Sequence, residues 1–147
     1  MTAKNYDNTV EIVTGALVVD KERRLLFVTG PKWPGRYTMV GGHIEYGELI
    51  DDAVRRELKE EIGVVPERIE FLLVNDEVFP RWFHRKAHFI FLNFVAFIED
   101  ASRLMLCKKE FTDHKWITID EALALPETAL VSSVRPVIEA YREKYGS

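Results

Sequence analysis

Glu57, Glu60 and Glu61 stand at i, i+3 and i+4. On a helix that spacing puts all three carboxylates on one side within a single turn. Like charges so close repel one another, and Arg56, one turn before Glu60, cannot neutralise all three. A hard divalent cation with oxygen ligands would relieve the repulsion, and Mg²⁺ is the natural candidate. The simpler alternative is a solvated acidic face. The flanking residues supply the helix. Ile50, Val54, Leu58 and Ile62 recur at i+4 with Ala53 beside them, which predicts an amphipathic helix over residues 49–62. Gly63 suits its C-terminal cap, and Pro66 forbids continuation.

The remaining elements must hold that helix in place. Residues 10–19 are rich in β-branched side chains and predict a strand, closed by the charged turn 20–24 and returned by a strand over 25–29. Residues 30–35, with two prolines and two glycines, read as a loop. Residues 36–40 form a short extended segment expected to stop at Gly41-Gly42. Two longer strands follow at 69–78 and 87–98. The second is almost continuously apolar, broken by Asn93, and is expected to be buried on both faces. Shorter strands are expected at 104–107 and 115–119. Asp120 should cap a short helix to Leu125, and Ser132 or Ser133 should open a last helix to about Lys144. The pattern is α+β, a mixed sheet with helices on its faces.

The chain has 147 residues, which suits one domain (1–147, core about 10–145). With 47% apolar and 30% charged residues it has ordinary globular composition. Its 20 Lys+Arg against 24 Asp+Glu leave a net charge of −4. There is no electrostatic footprint for a nucleic-acid backbone, so an anionic small molecule would need a local device such as a metal ion. The single Cys107 excludes an intrachain disulfide and a multi-cysteine zinc site, and is expected to be a small buried hydrophobe. Residues 1–10 lack the apolar core of a signal peptide, and the apolar run 89–98 is too short to span a bilayer. A cytoplasmic protein without a membrane partner is expected.

From Gly42 the order is Gly42, five residues, Glu48, seven residues, then Arg56-Glu57-Leu58-Lys59-Glu60-Glu61-Ile62-Gly63-Val64. This resembles, at every specified position, the Nudix box G-x5-E-x7-R-E-U-x-E-E-x-G-U, where U is a bulky apolar residue. A chance match in a chain this long is on the order of 10⁻⁸ to 10⁻⁷ from residue abundances. The strand–loop–helix order from about residue 10 to 145 also resembles the Nudix hydrolase (MutT-like) fold, a mixed β-sheet sandwiched between helices (α/β/α).

The resemblance implies metal-dependent hydrolysis of a nucleoside diphosphate linked to another moiety X, by water attack on the diphosphate. Nucleoside triphosphates, ADP-ribose and nucleotide sugars are such compounds. It implies Mg²⁺ or Mn²⁺ held by Glu57, Glu60, Glu61 and the backbone carbonyl of Gly42, with Glu48 and Arg56 orienting the set. Arg56, Glu57 and Glu60 would thus serve catalysis, and Glu57 or a distal acid would take the proton. Glu110, before Trp116, is the first distal choice and Asp113 the second. Many relatives carry Trp-x-Leu-Pro-Gly-Gly before the box. Here Tyr37 and Val40 replace its Trp and Pro, which bears on the substrate contact rather than on the reaction.

Substrate contacts are expected from Trp33, Tyr37, Trp82 and Arg81, the last two in the aromatic and cationic run 79–86. The competing reading for that run is core cover or a dimer interface, and analogy with the fold suggests a homodimer. Pro80 stands at a spacing that resembles the ADP-ribose pyrophosphatase marker. His43, His84, His88 and His114 lack metal spacing. The alternative function is a Nudix-fold module that senses a nucleotide without turning it over.

Overall fold

The computed structural model describes residues 6–146. Strand β1 (Val10–Val19) organises the sheet. It runs parallel to β5 (His88–Phe97) along its whole length, from Val10↔His88 to Val19↔Phe97. On its other side it changes partner. Val13 to Ala16 pair antiparallel with β3 (Val40–His43), whereas Val19 pairs with Leu25 at the start of β2 (Leu25–Thr29). β2 then pairs with β6 (Asp113–Ile117), and β4 (Arg68–Val78) closes the far edge against β5. The order is β4-β5-β1-β2-β6, with β3 attached to β1.

Strand alternation sends side chains to two cores. Ala16, Val18, Leu26, Val28, Val40 and Phe94 pack under helix α1 (Ile50–Ile62) against Val54, Leu58 and Ile62. Leu17, Val19, Leu25, Phe27 and Val95 pack on the opposite face, with α2 (Ile119–Ala124) and α3 (Arg135–Tyr145). The sheet is therefore covered by helices on both faces, as expected from the sequence. Each fully buried Val, Leu or Ile contributes roughly 1.5–3 kcal/mol. The buried stripe of α1 thus fixes the helix, and with it everything on the helix's polar side.

α1 begins after Leu49, which offers no side-chain cap, while Asp51 and Asp52 in the first turn complement the helix dipole. It ends at Gly63, whose φ of 69° is the left-handed conformation that favours glycine, and whose N–H donates to the Lys59 carbonyl at 3.1 Å.

Several expectations are corrected. Residues 104–107 form no strand. The Met105 N–H donates to Ile62 O at 2.9 Å and the Cys107 N–H to Glu61 O at 2.7 Å. This segment thereby satisfies carbonyls that the last turn of α1 leaves unpaired. Cys107 itself is only half-buried. β3 does not stop at Gly41-Gly42 but runs through both to His43. β5 is buried on both faces only over Asn93 to Ala96; its first half meets the aromatic segment near Trp82 and Phe83 instead of a helix. The cap of α2 is Thr118, in a reciprocal capping box with Glu121, rather than Asp120. α3 starts at Arg135 with Pro136 in its first turn. Ser132 is engaged elsewhere, donating to Glu77 and accepting from Trp82 Nε1.

Candidate active site

The polar side of α1 is organised by Arg56. Its Nε and Nη2 donate to the two oxygens of Glu48 at 2.7 and 3.0 Å. Nη2 also donates to the His43 carbonyl at 3.0 Å, which ties the helix to the end of β3. Nη1 donates to Glu57 at 2.9 Å and to Glu60 at 3.2 Å. A planar guanidinium can serve these acceptors together, which a lysine ammonium cannot. The Arg56 hydrogen bond, aided by the Glu45 N–H, holds the Glu48 carboxyl down to about 2.

Glu57 lies directly over β3. A Cβ on Gly42 would fall 2.4–2.7 Å from the Glu57 carboxylate atoms, so only glycine leaves that carboxylate its place. The Gly42 carbonyl accepts from Thr14 Oγ1 at 3.2 Å. Glu61 is buried and accepts from the Gly41 N–H at 3.3 Å. Burial first, and then the nearby charges of Glu57 and Glu110, push its carboxyl up to about 10.

The three carboxylates lie on one side of α1 and line the same cavity, but they are buried unequally. Glu57 and Glu61 crowd together against β3, whereas Glu60 is 60% exposed and shares Arg56 Nη1 with Glu57. Among the described residues no group of three His, Cys, Asp or Glu side chains is arranged to hold a metal ion. The donor chemistry nevertheless fits a hard cation. All the groups are oxygens, and two carboxylates crowded beside each other are donors that a hard divalent cation takes.

Glu110 joins this cluster because Cys107, after meeting the end of α1, accepts from the N–H groups of both Glu110 and Phe111. Its side chain accepts from Lys32 Nζ at 3.4 Å. Asp113 takes another direction. It accepts from Tyr37 Oη at 3.0 Å and from the His114 N–H, away from the cavity lining.

One cavity of about 530 Å³ is lined by Arg56, Glu57, Glu60, Glu61 and Glu110 and also by an aromatic recess. Trp82, Phe83, Phe89 and Phe91 form that recess, and Trp33 enters from the loop after β2, stacked on Phe111. Of the expected substrate contacts, Trp33 and Trp82 line the cavity, while Tyr37 and the exposed Arg81 do not. Trp82 is at once a lining residue and structural cover, since it packs parallel to Phe89 at 6.2 Å.

Two features escape a reading of the sequence. Buried Glu11 receives a two-point fork from Arg85 at 2.7 and 2.8 Å and meets His43 Nε2 at 2.8 Å, anchoring the aromatic segment to β1. Burial raises the Glu11 carboxyl, but the bonds from Arg85 and His43 outweigh it and leave it lowered. Asn93, an interruption in an apolar run, is 1% exposed and lines the cavity. Residue spacing signals neither, because the partners are brought together only by the sheet.

Known proteins resemble this chain in sequence and in fold. An NAD-capped RNA hydrolase NudC of Stutzerimonas stutzeri is 30% identical over 126 residues, covering 85% of this chain and 42% of its own. The chain thus spans about two fifths of the length of that relative. The nucleoside triphosphatase NudI of Escherichia fergusonii is 31% identical over 91 residues, covering 58% of this chain and 63% of its own. The Nudix domain of Shewanella oneidensis NrtR, solved with ADP ribose, superposes with a TM-score of 0.74 at 22% identity, covering 95% of this chain and 94% of its own. At that identity the likeness shows the fold. No helix among the described residues is long and apolar enough to cross a membrane. The family model for the NUDIX domain matches residues 10–141, nearly the whole described sheet with its helices, and the chain belongs to the Nudix family.

Proposed function

We propose that this chain hydrolyses nucleoside diphosphates linked to a second moiety X, in the presence of Mg²⁺ or Mn²⁺. The observation that carries this reading is the acid set of α1, intact and organised by Arg56, opening into the same cavity as an aromatic recess. The names of the relatives, an NAD-capped RNA hydrolase and a nucleoside triphosphatase, support the substrate class.

Glu57, Glu60, Glu61 and the Gly42 carbonyl are the groups that would hold the cation. When bound it would neutralise diphosphate oxygens and lower the pKa of a bound water. Arg56 orients Glu57 by a charge-assisted bond, and Glu48 in turn fixes the plane of Arg56. Glu110 or Glu57 accepts the proton as water attacks; the water oxygen bonds to phosphorus and the anhydride P–O bond breaks, leaving two phosphorylated products. Lys32, beside Glu110, supplies positive charge to the phosphate end of the cavity. Trp33 and Trp82 offer faces on which a base can stack.

The test is chromatography of products after incubation with Mg²⁺ and nucleoside triphosphates, ADP-ribose, NADH, nucleotide sugars and dinucleoside polyphosphates. Chelator-sensitive cleavage of one class well above the others is expected. Nucleotide binding without any cleavage would replace this reading with a sensor module.

A further inference from the structure

Asn93 occupies the centre of the sheet, yet none of the chemistry above uses it. It pairs with Gly15 on β1, which in turn pairs with Gly41 on β3, so it lies two strand spacings, roughly 10 Å, from the glycine pair beside the carboxylates. Its Nδ2 donates to Asn75 Oδ1 at 2.8 Å and to the Leu73 carbonyl at 3.1 Å, with the Phe91 carbonyl at 3.5 Å. The Leu73 carbonyl is presented where a bulge shifts the β4–β5 register between Phe71 and Leu73. Asn75 is itself fixed, because its Nδ2 donates to the Ser133 carbonyl at 3.0 Å.

Backbone carbonyls at both ends therefore determine the orientation of both amides. Rotating the Asn93 amide by half a turn would put its oxygen against two acceptors. The Asn93 oxygen is consequently the free end. It accepts no hydrogen bond from the described residues. It sits 2.6 Å from where a Gly15 Cβ would stand, with Met39 Cε 3.0 Å from the same point, and Gly15, Met39 and Asn93 all line the cavity. Gly15 thus leaves open the space over an acceptor in the same cavity that Phe89, Phe91 and Trp82 line.

We infer that Asn93 is a specificity-determining residue. Its oxygen accepts a hydrogen bond from an amino group on the edge of a ring stacked in the aromatic recess, and so favours amino-bearing bases over their oxo counterparts. An oxo group there would set two acceptors against each other. The inference rests on the reading that this cavity takes nucleoside diphosphate derivatives.

Titration calorimetry with two matched pairs, ADP against IDP and CDP against UDP, tests it. Each pair exchanges one amino group for an oxo group and, with it, turns the neighbouring ring nitrogen from an acceptor into an N–H donor. The native chain should bind the amino member of at least one pair about 10-fold or more tightly, the size of one buried hydrogen bond left unmade. Asn93→Leu should compress that ratio below about 3-fold. Gly15→Ala, which keeps Asn93 but places a methyl against its oxygen, should do the same, and it guards against a folding failure in the first variant. Glu60→Gln should leave the ratio unchanged, because it acts at the other side of the cavity. Equal affinity within both pairs, or a ratio that survives both substitutions, overturns the role of Asn93 alone. Failure to bind any of the four nucleotides overturns the parent reading as well.

Discussion

Arg56 and Glu48 form a two-point guanidinium–carboxylate fork, at 2.7 and 3.0 Å, whose remaining nitrogen reaches the acids on the helix. Glu48 precedes the helix and Arg56 lies within it, so the fork fixes the incoming loop against the polar face of α1. Glu57 is then held from two sides, by Arg56 Nη1 and by the closeness of Gly42.

Arg56→Lys should keep a positive charge while losing the fork, the His43 carbonyl and the shared contact with Glu57 and Glu60. Orienting partners of this kind are worth about 10- to 100-fold in metal affinity or activity. Turnover at saturating Mg²⁺ should fall within that range, and the Mg²⁺ concentration for half-maximal rate should rise. A variant with native turnover and native Mg²⁺ dependence would remove Arg56 from its orienting role.

Gly42→Ala and Gly41→Ala should fail in different ways. The new Cβ on Gly42 meets the movable end of Glu57, so the chain folds, but Glu57 is displaced and turnover drops on the order of 100-fold. The Cβ on Gly41 would fall 2.0 Å from the Thr14 carbonyl oxygen in the paired strand, which cannot move alone. That variant should lose roughly 1–3 kcal/mol of stability, as overpacking does. Circular dichroism melting and a steady-state assay on both proteins separate the two outcomes.

Glu11→Gln supplies a pH signature. The folded chain holds the Glu11 carboxyl below its ordinary 4.5, so ionised Glu11 stabilises the fold above that pH, and the contribution is lost as pH falls through the lowered value. The stability difference between the native chain and Glu11→Gln should be full at pH 6–7 and shrink below about pH 4.5, where the unfolded carboxyl titrates. Urea unfolding at a series of pH values measures it. Because Arg85 is the other half of this fork, the variant should also loosen the segment bearing Trp82 and raise KM more than it lowers kcat.

The helix and its acid set were legible because their logic is local. The i+4 stripe of Val54, Leu58 and Ile62 and the glycine at position 63 contain their own explanation. Residues 104–107 look like a strand in isolation, yet their N–H groups serve carbonyls of Glu61 and Ile62, more than forty residues earlier. Glu11 and Arg85, or Asn75, Asn93 and Ser133, are likewise apart until the β1–β5 and β4–β5 pairings bring them together. The unequal burial of the three glutamates has the same origin. Spacing places them on one side of α1, but the direction of each carboxylate depends on Arg56 and on the bare backbone of β3.

The decisive measurement is Mg²⁺-dependent hydrolysis by the native chain and by Glu60→Gln, on whichever compound the chain cleaves best. Glu60 is 60% exposed and among the described residues hydrogen-bonds only to Arg56, so its neutral isostere should melt at the native temperature. Removing one hard oxygen charge should nonetheless cut metal-dependent turnover at least about 100-fold, a loss of roughly 2.7 kcal/mol in transition-state stabilisation. Undiminished turnover in a folded Glu60→Gln protein would contradict a role for the acid set of α1 in holding the cation.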